Sequence, residues 1–251
     1  MITLRNKVSI ITGGSRGIGA ATAVMLAKAG SDIAINYIEN GARAASVVEC
    51  VKRAGRRIVT HQGNVGISSV AKEFIDRTVE FFGKIDIVVN NAGIWTRGEI
   101  GSTPESIWDE TLETNLKGVF NVCNVAVPYL KKNGGGRIIN ISSTAGQRGE
   151  AFHAHYAASK GGILAFTKSL STELARDNIL VNAVAPGWVD TEMNEEVFSN
   201  SSIREQVINA IPLRKIATAE DIAGSVLFLA SDLASHITGA TINVNGGSVL
   251  N

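Results

Sequence analysis

Short β-branched, apolar runs recur along the chain between longer amphipathic segments. They are Val8-Ser9-Ile10-Ile11, Asp32-Ile33-Ala34-Ile35-Asn36, Arg57-Ile58-Val59-Thr60, Asp86-Ile87-Val88-Val89, Arg137-Ile138-Ile139-Asn140-Ile141, Leu180-Val181-Asn182-Ala183-Val184 and Thr241-Ile242-Asn243-Val244. Most are continuously apolar instead of alternating, so both faces of each strand are expected to be covered, as in a parallel sheet sandwiched by helices. The intervening segments carry helix signals: Ala20 to Ala29 stops at Gly30, and Thr218-Ala219-Glu220-Asp221 sets acidic residues at a helix start. Strand and helix in alternation predict a single-domain, doubly wound α/β Rossmann fold with a seven-stranded parallel sheet, spanning residues 1–251. In such sheets ligands bind beyond the carboxyl ends of the strands, where the strand order reverses.

Composition narrows the function. The 251 residues are 45% hydrophobic and 19% charged, with a mean hydropathy of +0.14, and a chain of this length buries enough surface for one large core. Lys and Arg number 24 against 23 Asp and Glu, so no basic excess points to nucleic acid or to an anionic membrane. Cys50 and Cys123 are too few and too far apart for a zinc ribbon or a redox pair. Met1 to Lys7 lead straight into the first apolar run without signal-peptide features, and no run is long enough to span a bilayer. A cytoplasmic location is expected.

Three segments carry the chemistry. Thr12-Gly13-Gly14-Ser15-Arg16-Gly17-Ile18-Gly19 follows the first strand and opens the first helix. There, missing side chains allow a sharp turn and close approach to a pyrophosphate, and the helix start supplies free N–H groups. The second strand ends in Asn36, not in the acid that would hold a ribose 2′-hydroxyl, and Arg16 in the loop suits a 2′-phosphate. NADPH is therefore favoured, with NADH left open by Glu39. Further on, Tyr156 and Lys160 stand one turn apart on one helix face, with Ser143 upstream.

With the glycine loop, Asn90-Asn91-Ala92-Gly93, Asn115, Ser143, Tyr156-x-x-x-Lys160 and Pro186-Gly187, the chain resembles the classical short-chain dehydrogenase/reductase family almost end to end. Within it, Asn182-Ala183-Val184-Ala185-Pro186-Gly187 and the stretch from Phe228 to Gly239 are most similar to the bacterial 3-oxoacyl-acyl-carrier-protein reductases. The resemblance implies catalytic roles for Asn115, Ser143, Tyr156 and Lys160, with Asn115 holding a proton-relay water. It implies that Asn90, Asn91, Ala92, Gly93, Pro186, Gly187, Val189 and Thr191 border the cofactor, with Asn90 also supporting the sheet, and that Tyr156 and Lys160 are cofactor-binding as well, Lys160 bonding the nicotinamide ribose. Asn64-Val65 should lie near adenine, although Asn64 and Asn245 stand where the family usually has Asp. It also implies a homotetramer.

Carbonyl reduction needs a hydride at carbon and a proton at oxygen, and Tyr156 is the candidate donor. Lowering its pKa from about 10 toward about 7 takes about 4 kcal/mol. A lysine charge at about 4 Å supplies that order at an effective dielectric of about 20. Ser143, in preference to Ser142, would bond the carbonyl oxygen as charge develops. Ile94, Trp95, Gln147, His153, Trp188 and Met193 are expected at an apolar substrate mouth, and residues 188–215 read as a lid. His153 and His155 lack the carboxylate or thiol companions of a metal site. An acyl carrier protein would need a basic patch near the entrance; the family's arginine positions hold Gly134 and Asp177, with Lys131, Lys132 and Arg176 nearby. The leading reading is NADPH-dependent reduction of a 3-oxoacyl thioester. The alternatives are an NAD(P)-dependent dehydrogenase of a sugar, secondary alcohol or other small carbonyl compound, and a non-catalytic nucleotide-sensing protein.

Overall fold

Each of the seven apolar runs becomes a strand, and all seven pair in parallel. The computed structural model describes residues 2–250. In chain order the elements are β1 (Val8–Ile11), α1 (Gly17–Lys28), β2 (Asp32–Tyr37), α2 (Gly41–Arg53), β3 (Ile58–Gln62), α3 (Ser68–Phe82), β4 (Ile87–Asn90) and α4 (Glu105–Leu112). A π-helical turn, Glu113–Lys117, leads directly into α5 (Gly118–Lys132). There follow β5 (Gly136–Ile141), α6 (Ala145–Arg148), α7 (Ala154–Glu173), β6 (Ile179–Pro186), α8 (Glu195–Ser199), α9 (Ser201–Ala210), α10 (Ala219–Ala230) and β7 (Thr241–Val244).

The strand order is β3-β2-β1-β4-β5-β6-β7, so the order reverses between β1 and β4, where Ile11 pairs with both Ile35 and Val89. Two cores cover the two faces. Ile11, Ile33, Ile35, Ile87, Val89 and Ile139 point to the side of α1, α2 and α10, whereas Ile10, Ala34, Val88 and Ile138 point to the side of α3, α5 and α7. Successive strand residues thus alternate between two apolar layers, which is why the runs carry no polar face.

Differences at the element ends have local causes. Asp86, read as the start of a strand, instead accepts a hydrogen bond from Val8 N at 2.9 Å through its carboxylate. The third strand runs on to Gln62 because Tyr37 offers it a partner. The first helix begins at Gly17, since Arg16 is extended and forms its N-cap. Thr218 and Asp221 make a reciprocal capping box at the start of α10, the arrangement that satisfies two orphan N–H groups at once.

Candidate active site

A cleft of about 520 Å³ opens at the carboxyl ends of the strands, at the reversal of strand order. Its floor is stitched by Thr12, whose hydroxyl accepts from the backbone N–H groups of Asn91 and Ala92, each at 3.0 Å. Asn91 returns the contact, its amide donating to the carbonyls of Thr12 at 2.9 Å and Gly13 at 3.1 Å. Bulk is excluded where these segments meet. A Cβ on Gly13, whose φ is +63°, would stand 2.9 Å from Ala92 Cα, and one on Gly19 would stand 2.2 Å from Gly13 O. The main chain is thereby left bare at the start of α1, a cradle that fits a dinucleotide pyrophosphate.

The sequence-predicted cofactor residues Gly13, Ser15, Arg16, Gly17, Ile18, Asn36, Asn64, Val65, Asn91, Ala92, Gly93, Pro186, Gly187, Val189 and Thr191 all border this cleft. Gly19 lies behind it, holding the loop shape. Asn90 does not border it: its amide donates to Asn140 Oδ1 at 2.8 Å within the sheet, and Asn140 in turn donates to Thr167 Oγ1 at 2.9 Å. Asn36 spends its amide on the carbonyls of Gly63 and His61, at 2.8 and 3.3 Å, so the end of β2 presents no carboxylate at that position. Asn64 Oδ1 accepts from Gly66 N at 2.8 Å, a local turn bond that an Asp would make equally well. Asn245 likewise closes its own turn, accepting from Gly247 N and donating to Val249 O, both at 2.9 Å.

Ser143, Tyr156 and Lys160 meet on the other wall. The helix α7 stacks Tyr156 and Lys160 as their spacing requires, with Lys160 Nζ 5.7 Å from the centre of the Tyr156 ring. Ser143 stands beside the Tyr156 phenol, where its hydroxyl favours the phenolate, and its oxygen accepts from Ala145 N at 3.1 Å. Ser142 is committed elsewhere, donating to Lys160 O at 2.8 Å. Lys160 Nζ donates to Ile141 O at 2.9 Å, and the absent side chain of Gly93 leaves room for it: a Cβ there would come within 3.3 Å of Nζ.

The acidity of this group departs from the expectation. Burial pushes the Tyr156 phenol up to about 12; the bond from Ser143 opposes the shift and the Glu150 carboxylate adds to it. Lys160 is itself depressed to about 8 by burial. Burial of the phenol is the largest influence on it, and burial likewise lowers the neighbouring ammonium. A phenol so held keeps its proton at neutral pH.

Asn115 lies behind the wall of the cleft, in the turn before α5. Its side chain is fully buried and clasps the β4 loop, donating to Ile94 O at 3.0 Å and accepting from Ile94 N at 2.8 Å, with a further bond to Ser159 Oγ at 3.1 Å. It therefore positions the loop that carries Gly93. It sits in the π-helical turn Glu113–Lys117, a distortion that recurs at functional sites.

Of the expected substrate residues, Ile94, Trp95, Trp188 and Met193 border the cleft. Gln147 and His153 do not. Gln147 turns to β7 and donates to Asn243 Oδ1 at 2.8 Å, and His153 is buried behind Trp95, stacked on it at 4.4 Å with 5° between the planes. Trp95 meets Trp188 edge-on at 6.0 Å, and Trp188 packs on Phe198. The sequence reading missed Glu110, Thr114, Arg148, Glu150 and Glu192, all of which border the cleft. Only Glu150 offered a signal, as the one acid between Ser143 and Tyr156. The 188–215 segment forms a 3₁₀ turn, Glu192–Asn194, followed by α8 and α9, with an Arg204–Asp190 ion pair at 2.8 Å inside it. Lys131, Lys132 and Arg176 precede β5 and β6, at the amino end of the sheet and away from this cleft, and Lys131 pairs with Asp177 at 2.7 Å.

Comparison with known proteins agrees with this geometry. The family model described as "Enoyl-(Acyl carrier protein) reductase" matches residues 13–249. A 3-oxoacyl-[acyl-carrier-protein] reductase FabG of Staphylococcus epidermidis is 41% identical, over 96% of this chain and 98% of its own. The protein of the same name from Thermotoga maritima is 39% identical, over 98% and 99%. A crystal structure assigned as a short-chain alcohol dehydrogenase from Sinorhizobium meliloti superposes with a TM-score of 0.94 at 34% identity, covering 98% of this chain and 97% of that one. The Rossmann sheet, the glycine cradle and the Ser143, Tyr156 and Lys160 cluster thus occur in a chain that belongs to the short-chain dehydrogenase/reductase family of oxidoreductases.

Proposed function

We propose that the protein reduces the keto group of a 3-oxoacyl thioester to the 3-hydroxyacyl product, with NADPH as reductant. The observation that carries this reading is the grouping of Ser143, Tyr156 and Lys160 on the cleft that the glycine loop also borders, with Lys160 Nζ 5.7 Å from the Tyr156 ring centre. The N–H groups at the start of α1 would hold the pyrophosphate and the rim from Asn36 to Asn40 the adenosine ribose, while Gly93 and Pro186 to Thr191 would flank the nicotinamide. The cofactor supplies the hydride to the carbonyl carbon.

The chain's own groups handle the oxygen. Ser143 donates a hydrogen bond to it, stabilising the charge that develops. Tyr156 delivers its proton, and a phenol at about 12 suits that direction: it stays loaded at neutral pH, yet a secondary alkoxide is a stronger base and takes the proton downhill. Lys160 steadies the phenolate that remains, and Asn115 holds the Gly93 loop against it. Arg16, exposed at the N-cap of α1, and the neutral Asn36 support the choice of NADPH.

The names of the FabG relatives support a thioester substrate, and an O–H donor set suits a carbonyl better than the carbon–carbon double bond in the family model's description. The carrier is coenzyme A or an acyl carrier protein. A second reading, a compact alcohol or sugar, is favoured by the Trp95–Trp188 contact that narrows the mouth. Residues 188–215 act as the substrate lid, and the protein works as a cytoplasmic homotetramer; among the described residues no helix is long and apolar enough to cross a membrane. Nicotinamide absorbance with acetoacetyl-coenzyme A, acyl-carrier-protein thioesters, sugars and simple ketones tests the substrate. Sugar turnover without thioester reduction would overturn it, and a monomer in light scattering would overturn the assembly.

A further inference from the structure

Glu192 opens the segment that follows the Pro186-Gly187 turn, and its carboxylate is turned back over the glycine loop. Oε2 lies 3.7 Å from the place a Cβ on Gly17 would occupy, while Oε1 accepts from Arg43 Nη1. Arg43 stands in the first turn of α2, its backbone N–H bonded to the N-cap Asn40 side chain at 3.2 Å. The ion pair therefore joins two segments 149 residues apart across the rim of the cleft, and Glu192 shares that rim with Ile38, Glu39 and Asn40. As a fold-stabilising contact it has little value, because both side chains are a third or more exposed, at 41% and 33%. Its position, between the phosphate cradle and the end of β2, is where a cofactor ribose would have to enter.

We propose that Arg43 and Glu192 form a latch that the cofactor's 2′-phosphate opens by replacing Glu192 on the Arg43 guanidinium. This rests on the NADPH reading above and adds a second arginine to it, one that the chain itself keeps masked. The exchange is driven by charge. A phosphate monoester carries about −1.5 to −2 at neutral pH with three acceptor oxygens and can take a guanidinium fork through two bonds, whereas Glu192 brings one charge and holds Arg43 through the single Nη1–Oε1 contact. A 2′-hydroxyl brings no charge and leaves the latch closed. Arg43 is thus a specificity-determining residue, and Glu192 is its built-in competitor, set at the start of the lid so that release of the latch and entry of the phosphorylated cofactor are one event.

The test is direct binding of NADPH and NADH, followed by fluorescence titration of the purified full chain, for wild type, Arg43→Gln, Glu192→Gln and the double variant. Arg43→Gln is expected to weaken NADPH by about tenfold or more, the order of a charge-assisted contact, while NADH is little affected. Glu192→Gln is expected to tighten NADPH by about threefold, and this gain should vanish in the Arg43→Gln background. Equal weakening of both cofactors by Arg43→Gln, or a Glu192→Gln effect of the same size with and without Arg43, overturns the latch. A wild-type preference for NADH would instead overturn the cofactor reading on which it rests, so the two failures are distinguishable.

Discussion

Replacing Lys160 by Met should make the protein more stable and inactive at once. Lys160 is only 4% exposed, and burial holds its ammonium at about 8 against an ordinary 10.5, so keeping it charged in the fold costs about 3 kcal/mol. Met removes that cost in a side chain of similar reach. The loss to set against it is the Nζ bond to Ile141 O at 2.9 Å, whose buried carbonyl would be left unpaired at about 1–2 kcal/mol. The variant is therefore expected to gain about 1–2 kcal/mol at neutral pH, which for a chain of this size raises the melting temperature by about 2–8 °C.

The pH dependence fixes the cause of that gain. Between the folded value of about 8 and the ordinary 10.5, the unfolded chain holds a proton that the folded one has released, so wild-type stability rises with pH across that window. Below it both states are charged and the full penalty stands. The advantage of Lys160→Met should be largest near pH 7 and shrink steadily toward pH 10, measured by thermal melts followed by circular dichroism. A variant less stable than wild type at pH 7, or one whose advantage does not change with pH, would show that the buried ammonium carries no such penalty.

Further predictions concern the cradle and the phenol. Gly19→Ala drives a methyl group to 2.2 Å from Gly13 O, so the loop must shift, and cofactor affinity measured by titration should fall by at least about tenfold. Glu150→Gln removes a charge that helps hold the Tyr156 phenol high. Because alcohol oxidation requires the phenolate, the rise of its rate with pH should move to lower pH, as read from kcat/KM against pH; an unmoved profile would remove Glu150 as an influence.

The seven strands were legible because a parallel sheet covered on both faces leaves unbroken apolar runs, and the positions of Ile11, Val89 and Ile139 in one core and Ile10, Val88 and Ile138 in the other account for them. The glycine cradle and the pairing of Tyr156 with Lys160 were legible for a similar reason, since both depend on spacing within one element. What escaped depends on distant segments. Nothing in the spacing of Gln147 says that its amide turns to Asn243 on the last strand, nor that His153 slips behind Trp95. Arg43 and Glu192 are joined only by the folded chain. The charge of Lys160 can be read from sequence, whereas the water that Tyr156 and Lys160 both lose on burial cannot.

Tyr156→Phe removes the phenol oxygen alone and so tests Tyr156 as the proton donor. Turnover of an acetoacetyl thioester should fall by about 10²–10⁴-fold, while NADPH binding by fluorescence titration remains at the wild-type level, since the glycine cradle is untouched. Wild-type turnover in that variant would contradict the assignment of Tyr156 as the acid.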